Sequence, residues 1–280
     1  MSCCATATAA AEARIDRCYS PPPRVDLEAT EQSDLQTALA RLPVQADFTA
    51  RLLARLHPYF PLEPPARVLD VGAAQGVAVT CFAQRGFEAD GVEPWEPAIE
   101  VSRELAEHTG EKINVVPGIG EKIPFESGSF DFVHAYSVME HVDDPDAVFR
   151  EAFRVLKPGG GFFFGTTSAI CPRQYEIARF PLFPWYPTRL QRAIMDWAKD
   201  NKPELVGHTT RPAYHWFRHR KVKRDLERIG FAKVIDRWQL RGGESAGMRG
   251  RVIDACAENR AAKLAGDLVT PGMEYLAIRA

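Results

Sequence analysis

The chain has 280 residues, 45% hydrophobic and 26% charged, with 35 basic and 37 acidic side chains and a formal net charge of −2. That is globular composition with enough chain for a substantial core. It gives no global basic field to draw the protein to nucleic acid, and no apolar run reaches the ~20 residues of a membrane span.

Residues 1–33 combine a small-residue tract, "SPPPR" and mixed charge, and read as a flexible leader. The tract lacks an apolar core and carries Glu12 and Asp16, so it does not read as a secretory signal. From Asp34 to Phe60 leucines and Phe48 recur at helical spacing, and Pro43 is expected to split the stretch into two helices. Alternation follows: strand Arg67–Val71, helix Gln75–Arg85, strand "FEADGVE", helix Glu96–His108, strands "INVVPG" and "FDFVHAY", helix Asp146–Leu156 closed by "KPGGG", and strand "GFFFGTT". This pattern predicts an α/β fold, a parallel sheet with helices on both faces. Residues 168–215 break it with prolines and aromatics, including "RFPLFPWYPTRL" and a helix near Leu190–Ala198. A helix over Phe217–Ile229, a strand "FAKVIDRWQL", a helical stretch near Val252–Leu264 and a strand "MEYLAIRA" complete the reading. The basic run Arg218–Arg224 reads as the solvated face of that helix. The cysteines Cys3, Cys4, Cys18, Cys81, Cys171 and Cys256 form no C-x-x-C pair or zinc spacing. They read as free thiols in a reducing, cytoplasmic setting, and no metal is expected.

The stretch "ARVLDVGAAQGVAV" places a glycine turn between the first strand and its helix. Such a turn lets backbone N–H groups and a helix end approach a ligand closely. Glu93 closes the second strand 23 residues after Asp70, where a carboxylate can hold both hydroxyls of a ribose. The turn reads D-x-G-x-x-x-G, not the G-x-G-x-x-G of a dinucleotide site, which argues against a nicotinamide dehydrogenase. Asp70 would repel a pyrophosphate and suits a ligand with a cationic centre. S-adenosylmethionine carries two, a sulfonium and an α-ammonium.

"VLDVGAAQG", "GVEPW", "GIGEKIPFESGSFDFVHAYSVMEHVDDP" and "AFRVLKPGGGFFFGTT", in this order, resemble the class I S-adenosylmethionine-dependent methyltransferases. They are closest to the small-molecule branch with the ubiquinone and menaquinone biosynthesis enzymes. The resemblance covers about Ala66 to Thr167. It implies a Rossmann-like seven-stranded sheet of order 3-2-1-4-5-7-6 with an antiparallel last strand. It implies one domain over 34–280: N-terminal helices (34–65), a cofactor core (66–167), an aromatic-rich substrate lid (168–215) and completion of the sheet (216–280). By position, Asp70, Gly72, Ala73 and Gly76 would surround the methionine part of the cofactor, Glu93 its ribose, and Pro94 and Trp95 its adenine. Ile119 stands where relatives often have an adenine-binding Asp, leaving the backbone of Ile119 and Gly120 to meet the ring; Glu121 matches the family's acid. Ala135 and Tyr136 match a cofactor-lining stretch.

Methyl transfer from a sulfonium is an in-line displacement in which alignment supplies much of the acceleration. A base is needed when the nucleophile arrives protonated, and "VMEHV" offers Glu140 and His141. The candidates at the reacting centre are His141, His215 and Tyr136; those for the acceptor are Trp185, Tyr186, His208, Tyr214, His215 and Trp216, on the lid. The same rings would equally serve to pack the lid on the sheet. The leading expectation is methylation of a small molecule at a hydroxyl, by a monomer or homodimer. Transfer to nitrogen or carbon, transfer to RNA or protein, and a non-catalytic cofactor-binding protein are the alternatives.

Overall fold

The computed structural model describes residues 34–174, 176–177, 179–206, 212–242 and 247–280. The expected leader and His208 lie outside the described residues. A helix α1 (Leu35–Leu56) is followed by β1 (Arg67–Val71), α2 (Val77–Ala83), β2 (Glu88–Glu93), α3 (Glu96–Thr109), β3 (Ile113–Pro117), β4 (Phe130–Tyr136), α4 (Pro145–Val155) and β5 (Leu156–Thr167). Then come α5 (Thr188–Asn201), α6 (His219–Ile229), β6 (Phe231–Asp236), a one-turn α7 (Arg237–Leu240), α8 (Gly247–Glu258), α9 (Arg260–Val269) and β7 (Gly272–Arg279). The seven strands form one sheet of order β3-β2-β1-β4-β5-β7-β6, the order implied by the family resemblance. The first five pair in parallel, and β7 runs antiparallel between β5 and β6.

The strands of the parallel half read as continuous apolar runs because both faces are covered. On one face Val133, Phe162 and Phe164 pack against Val148, Phe149 and Ala152 of α4 and Val222 and Leu226 of α6. On the other, Phe132 and Phe163 pack against Leu52 and Leu56 of α1, Phe82 of α2 and Ile99 of α3. The insertion between β5 and α6 has its own core of Ile177, Phe183, Met195, Ala198, Val206 and Ala213.

Three elements differ from the sequence reading. Helix α1 runs unbroken through Pro43. Ala38 on one side of the proline and Thr49, Leu52 and Leu56 on the other are all buried, so one packed face spans both halves and outweighs a lost helical bond. The strand expected over "FAKVIDRWQL" stops at Asp236, whose carboxylate accepts from the backbone N–H of Trp238 and Gln239 while Gln239 reaches back, a capping box that starts α7. The helical stretch near 252–264 is two helices divided at Asn259, which caps α9 through the N–H groups of Ala261 and Ala262.

Buried polar side chains fasten the closing strands. Arg241 donates to both oxygens of Glu274 on β7, at 2.9 and 3.2 Å. Asp267 accepts from the Trp238 indole at 2.8 Å and faces His219 at 3.1 Å, and the His219 ring lies 2.5 Å from the Tyr275 hydroxyl.

Candidate active site

Strand order reverses at β1, which has β2 on one side and β4 on the other, so the carboxyl ends of these strands open a crevice. The glycine turn lies there. Gly72 and Gly76 both adopt φ of +73°, a conformation costly for any residue with a Cβ. A Cβ on Gly72 would stand 2.6 Å from Val138 Cγ2, and one on Gly76 2.8 Å from Ser102. Here the chain carries no side chain because a neighbouring wall occupies that volume. Gly76 is also the N-cap of α2 and contributes no side-chain cap, leaving that helix end bare. Ala73 is buried in the turn.

Glu93, at the end of β2, is 9% exposed. One carboxylate oxygen accepts the Ala74 N–H at 2.9 Å and the other the Trp95 N–H at 3.0 Å. The side chain therefore clamps the glycine turn to the β2–α3 loop, with Pro94 between. Trp95 and Ile119, which follow β2 and β3, are 46% and 41% exposed. Two large apolar side chains held out at adjacent strand ends suit the faces of a planar base. Gly120 is buried behind Ile119, and Glu121 accepts the Asp143 N–H at 2.8 Å, tying the β3–β4 connection to the loop after β4.

Asp70 points inward. Its Oδ1 lies 2.6 Å from Nδ1 of His134 on β4, and both side chains are buried. This pair joins the ends of β1 and β4. The His134 ring stacks on Phe163 and Tyr136, and Tyr136 also meets Phe48 of α1 edge-on, with centroids 4.9 Å apart. Ala135 is fully buried beside it.

Beyond Tyr136 the chain turns through Ser137, with φ of +56°, into the "VMEHV" loop. Glu140 is 1% exposed, and its carboxylate accepts from Thr166 Oγ1 at the end of β5, 2.8 Å away. Its backbone carbonyl accepts the N–H groups of Tyr214 and His215, so the exit of the insertion is hydrogen-bonded to this loop. Glu176, from the insertion's entry, brings its Oε2 to 3.8 Å from His141 Nε2. Ser137, Glu140, Thr166, Thr167, Gln174 and Glu176 line a cavity of about 20 Å³, the size of one water.

The sequence-selected acceptor residues take different side-chain partners. His215 Nε2 donates to the Val142 carbonyl at 2.9 Å, and burial lowers its pKa, so the ring stays neutral near pH 7 with Nδ1 as its basic atom. The Tyr214 hydroxyl donates to Asp196 of α5 at 2.7 Å, and burial, followed by that bond, pushes it up to about 12. Trp216 donates to Gln174, which places it one bond from the cavity, and its ring packs on Phe183. Tyr186 packs on Phe183 as well, while Trp185 is 52% exposed. Sequence reasoning missed Glu176, Thr166 and Gln174. Thr166 had a positional signal, the end of a strand beside the crevice; Glu176 sits in an irregular segment with no local signal.

These residues fit S-adenosylmethionine: a side-chain-free turn, a bare helix end, a strand-end carboxylate and exposed apolar groups at neighbouring strand ends. Comparison with known proteins agrees. Residues 69–164 match the family model described as a methyltransferase domain. The ubiquinone biosynthesis O-methyltransferase of Pseudomonas fluorescens Pf-5 is 30% identical over 151 residues, covering 52% of this chain and 63% of that one. Its Bordetella avium counterpart is 34% identical over 102 residues, 36% of this chain and 42% of that one. The chain thus spans less than two thirds of these relatives' length. The fold is shared with Haemonchus contortus phosphoethanolamine N-methyltransferase 2 solved with S-adenosyl-L-methionine, at a TM-score of 0.53 and 16% identity over 82% of this chain and 52% of that one. With its seven strands in this order and its glycine turn and clamping acid at the switch point, the chain is similar to the class I S-adenosylmethionine-dependent methyltransferases, and residues 69–164 match their methyltransferase domain.

Proposed function

We propose that the protein transfers the methyl group of S-adenosylmethionine to a hydroxyl of a small-molecule acceptor. The observation that carries this is Glu93, held at the switch point by the backbone N–H groups of Ala74 and Trp95. A carboxylate so fixed takes the two ribose hydroxyls without reorganising. The backbone of Gly72, Ala73 and Gly76 meets the methionine portion, and Trp95, Ile119 and Gly120 border the adenine. Asp70 acts through His134 by fixing the β1 and β4 ends, and Glu121 by holding the loop after β4. When bound, the cofactor supplies an electrophilic methyl on a sulfonium.

This chain's residues align the acceptor and exclude water. Tyr136 closes the cofactor side of the crevice against Phe48. His141 and His215, on the loop and on the insertion segment bonded to it, stand where a proton leaves the acceptor; His215 accepts through Nδ1, since its Nε2 is committed to Val142. The O-methyltransferase relatives support oxygen as the receiving atom. Titration calorimetry with S-adenosylmethionine and S-adenosylhomocysteine, beside Glu93→Ala and Gly72→Asp, tests the reading. Micromolar binding lost in both variants supports it, and methyl transfer from labelled cofactor to phenols, alcohols and amines then finds the acceptor. Folded protein that binds neither compound overturns it.

A further inference from the structure

A surface helix of a globular protein turns its apolar side chains inward and its charges outward. Helix α9 does the reverse. Its inner side carries charge: Asp267 is buried against the Trp238 indole and His219, and Lys263, half-buried, reaches Asp236 at the end of β6. Between them stand Ala262 and Gly266, and a Cβ on Gly266 would meet the Trp238 ring at 2.5 Å. The opposite side is Ala261, Leu264, Ala265, Leu268 and Val269, all exposed, at the i, i+3, i+4, i+7, i+8 spacing of a packed helix face. Rolling the leucines inward would pull Asp267 and Lys263 off their partners, so the helix is fixed with its apolar face outward. Leu264, Leu268 and Val269 are 53, 38 and 58% exposed. Helix α8 packs beside α9, with the Cys256 thiol donating to the Ala262 carbonyl, and leaves Met248 and Val252, four residues apart, 73 and 54% exposed. The exposed apolar side chains of the two helices present roughly 450 Å² per chain, as large as the patches that mark interaction sites.

We infer that the α8–α9 hairpin is a self-association surface, covered by the same hairpin of a second copy of this chain across a two-fold axis. Closing two such faces on each other removes about 900 Å² of apolar surface, and their charged borders bring the total to the ~1,200 Å² at which specific interfaces begin. The charges choose the occupant. Helix α8 is basic at its start, with Arg249 and Arg251, and acidic at its end, with Asp254 and Glu258, and all four are exposed. Such a helix sets unlike charges against a copy of itself only when the two run antiparallel, the arrangement that a perpendicular two-fold axis produces. Helix α9 starts at the exposed Arg260, so in the same pairing that arginine faces the negative end of the opposing helix. An anionic membrane or a nucleic acid selects a border of one sign, whereas three arginines and two acids border this face.

The test is sedimentation velocity of the full chain from roughly 1 to 100 μM, in wild type, Leu264→Glu, Arg251→Glu, Glu258→Arg and the double charge reversal. The expected result is a reversible monomer–dimer shift in wild type, weakened at least about tenfold by Leu264→Glu. Each single charge reversal weakens it as well, and the double reversal regains it. All the altered side chains are exposed in one chain, so far-UV circular dichroism stays that of wild type, which separates lost association from lost folding. A wild type that stays monomeric over the whole range overturns the inference, and so does a dimer that Leu264→Glu leaves intact. A double reversal no better than the singles refutes the antiparallel two-fold pairing. Monomeric protein that sediments with phosphatidylglycerol vesicles, and no longer does so as Leu264→Glu, overturns the inference in favour of a membrane surface. None of these residues belongs to the proposed cofactor site, so the methyl-transfer reading stands or falls separately.

Discussion

Glu93→Gln is the sharpest test of the cofactor edge. The substitution keeps shape and removes charge. The native carboxylate offers one oxygen to the Ala74 N–H and the other to the Trp95 N–H. Glutamine has a single oxygen, so its amide nitrogen must face one of those donors, and one N–H of a nearly buried site loses its partner. A hydrogen bond to a charged group contributes about 1.5–3 kcal/mol, and the mismatch sets the scale of the loss. For a domain of this size that is a fall of roughly 3–12 °C in melting temperature. The ribose loses a charged acceptor as well, which weakens S-adenosylhomocysteine binding by about 10- to 100-fold on the same scale. Differential scanning fluorimetry and calorimetry read the two effects separately. Trp95→Ala is the control: at 46% exposure the indole is lost with little change in melting temperature, while cofactor affinity falls. A Glu93→Gln protein that melts and binds like wild type refutes the clamp.

Other consequences are as open to measurement. Gly72→Ala combines a left-handed backbone, about 1–2 kcal/mol, with a collision against Val138, about 1–3 kcal/mol; Val138→Ala in the same chain recovers the second part, and a double-mutant cycle by denaturant unfolding reads the coupling. Burial alone would raise the Glu274 carboxyl, but Arg241 and then Arg237 bring it down to about 2 from 4.5. A depressed acid stabilises the fold above its unfolded pKa and loses that contribution as pH falls. The stability difference between wild type and Glu274→Gln, about 3 kcal/mol near neutrality, therefore shrinks between pH 4.5 and 2 in chemical denaturation; a difference constant with pH contradicts the assignment. Cys81, Cys171 and Cys256 are buried, and desolvation holds Cys81 up at about 11. Native iodoacetamide treatment at pH 7.5 leaves these three unlabelled by peptide mass spectrometry, and labelling appears on unfolding.

The parallel half of the sheet was readable because its strands are buried on both faces: "RVLDV", "FEADGVE" and "FDFVHAY" are apolar enough to locate without tertiary information. Helix α1 was misread at Pro43 because a local rule met a packing face that spans the proline. The early stop of β6 was encoded in "DRWQ", a capping box within an apolar run that otherwise resembles a strand. In the site, Glu93 and the glycine turn follow from spacing along a strand–turn–helix unit. The partnership of Glu140 and Glu176 does not, because 35 residues and a whole strand separate them and one lies in irregular chain. The aromatics of the insertion were legible as a class but not one by one: Phe183 is buried while Trp185, two residues on, is exposed, and irregular backbone has no period to tell them apart.

The insertion's private core has a consequence for how such proteins diversify. Its apolar side chains pack on one another, and its exit joins the sheet through bonds to the backbone carbonyl of Glu140 and the hydroxyl of Thr167. A carbonyl is present whatever the side chain, so these two bonds survive drift within the segment from 168 to 215, while the His215 side chain adds its own bond to the Val142 carbonyl. On the proposed methyl-transfer reading, acceptor preference then evolves by rewriting this segment, while the glycine turn and Glu93 stay under their own selection.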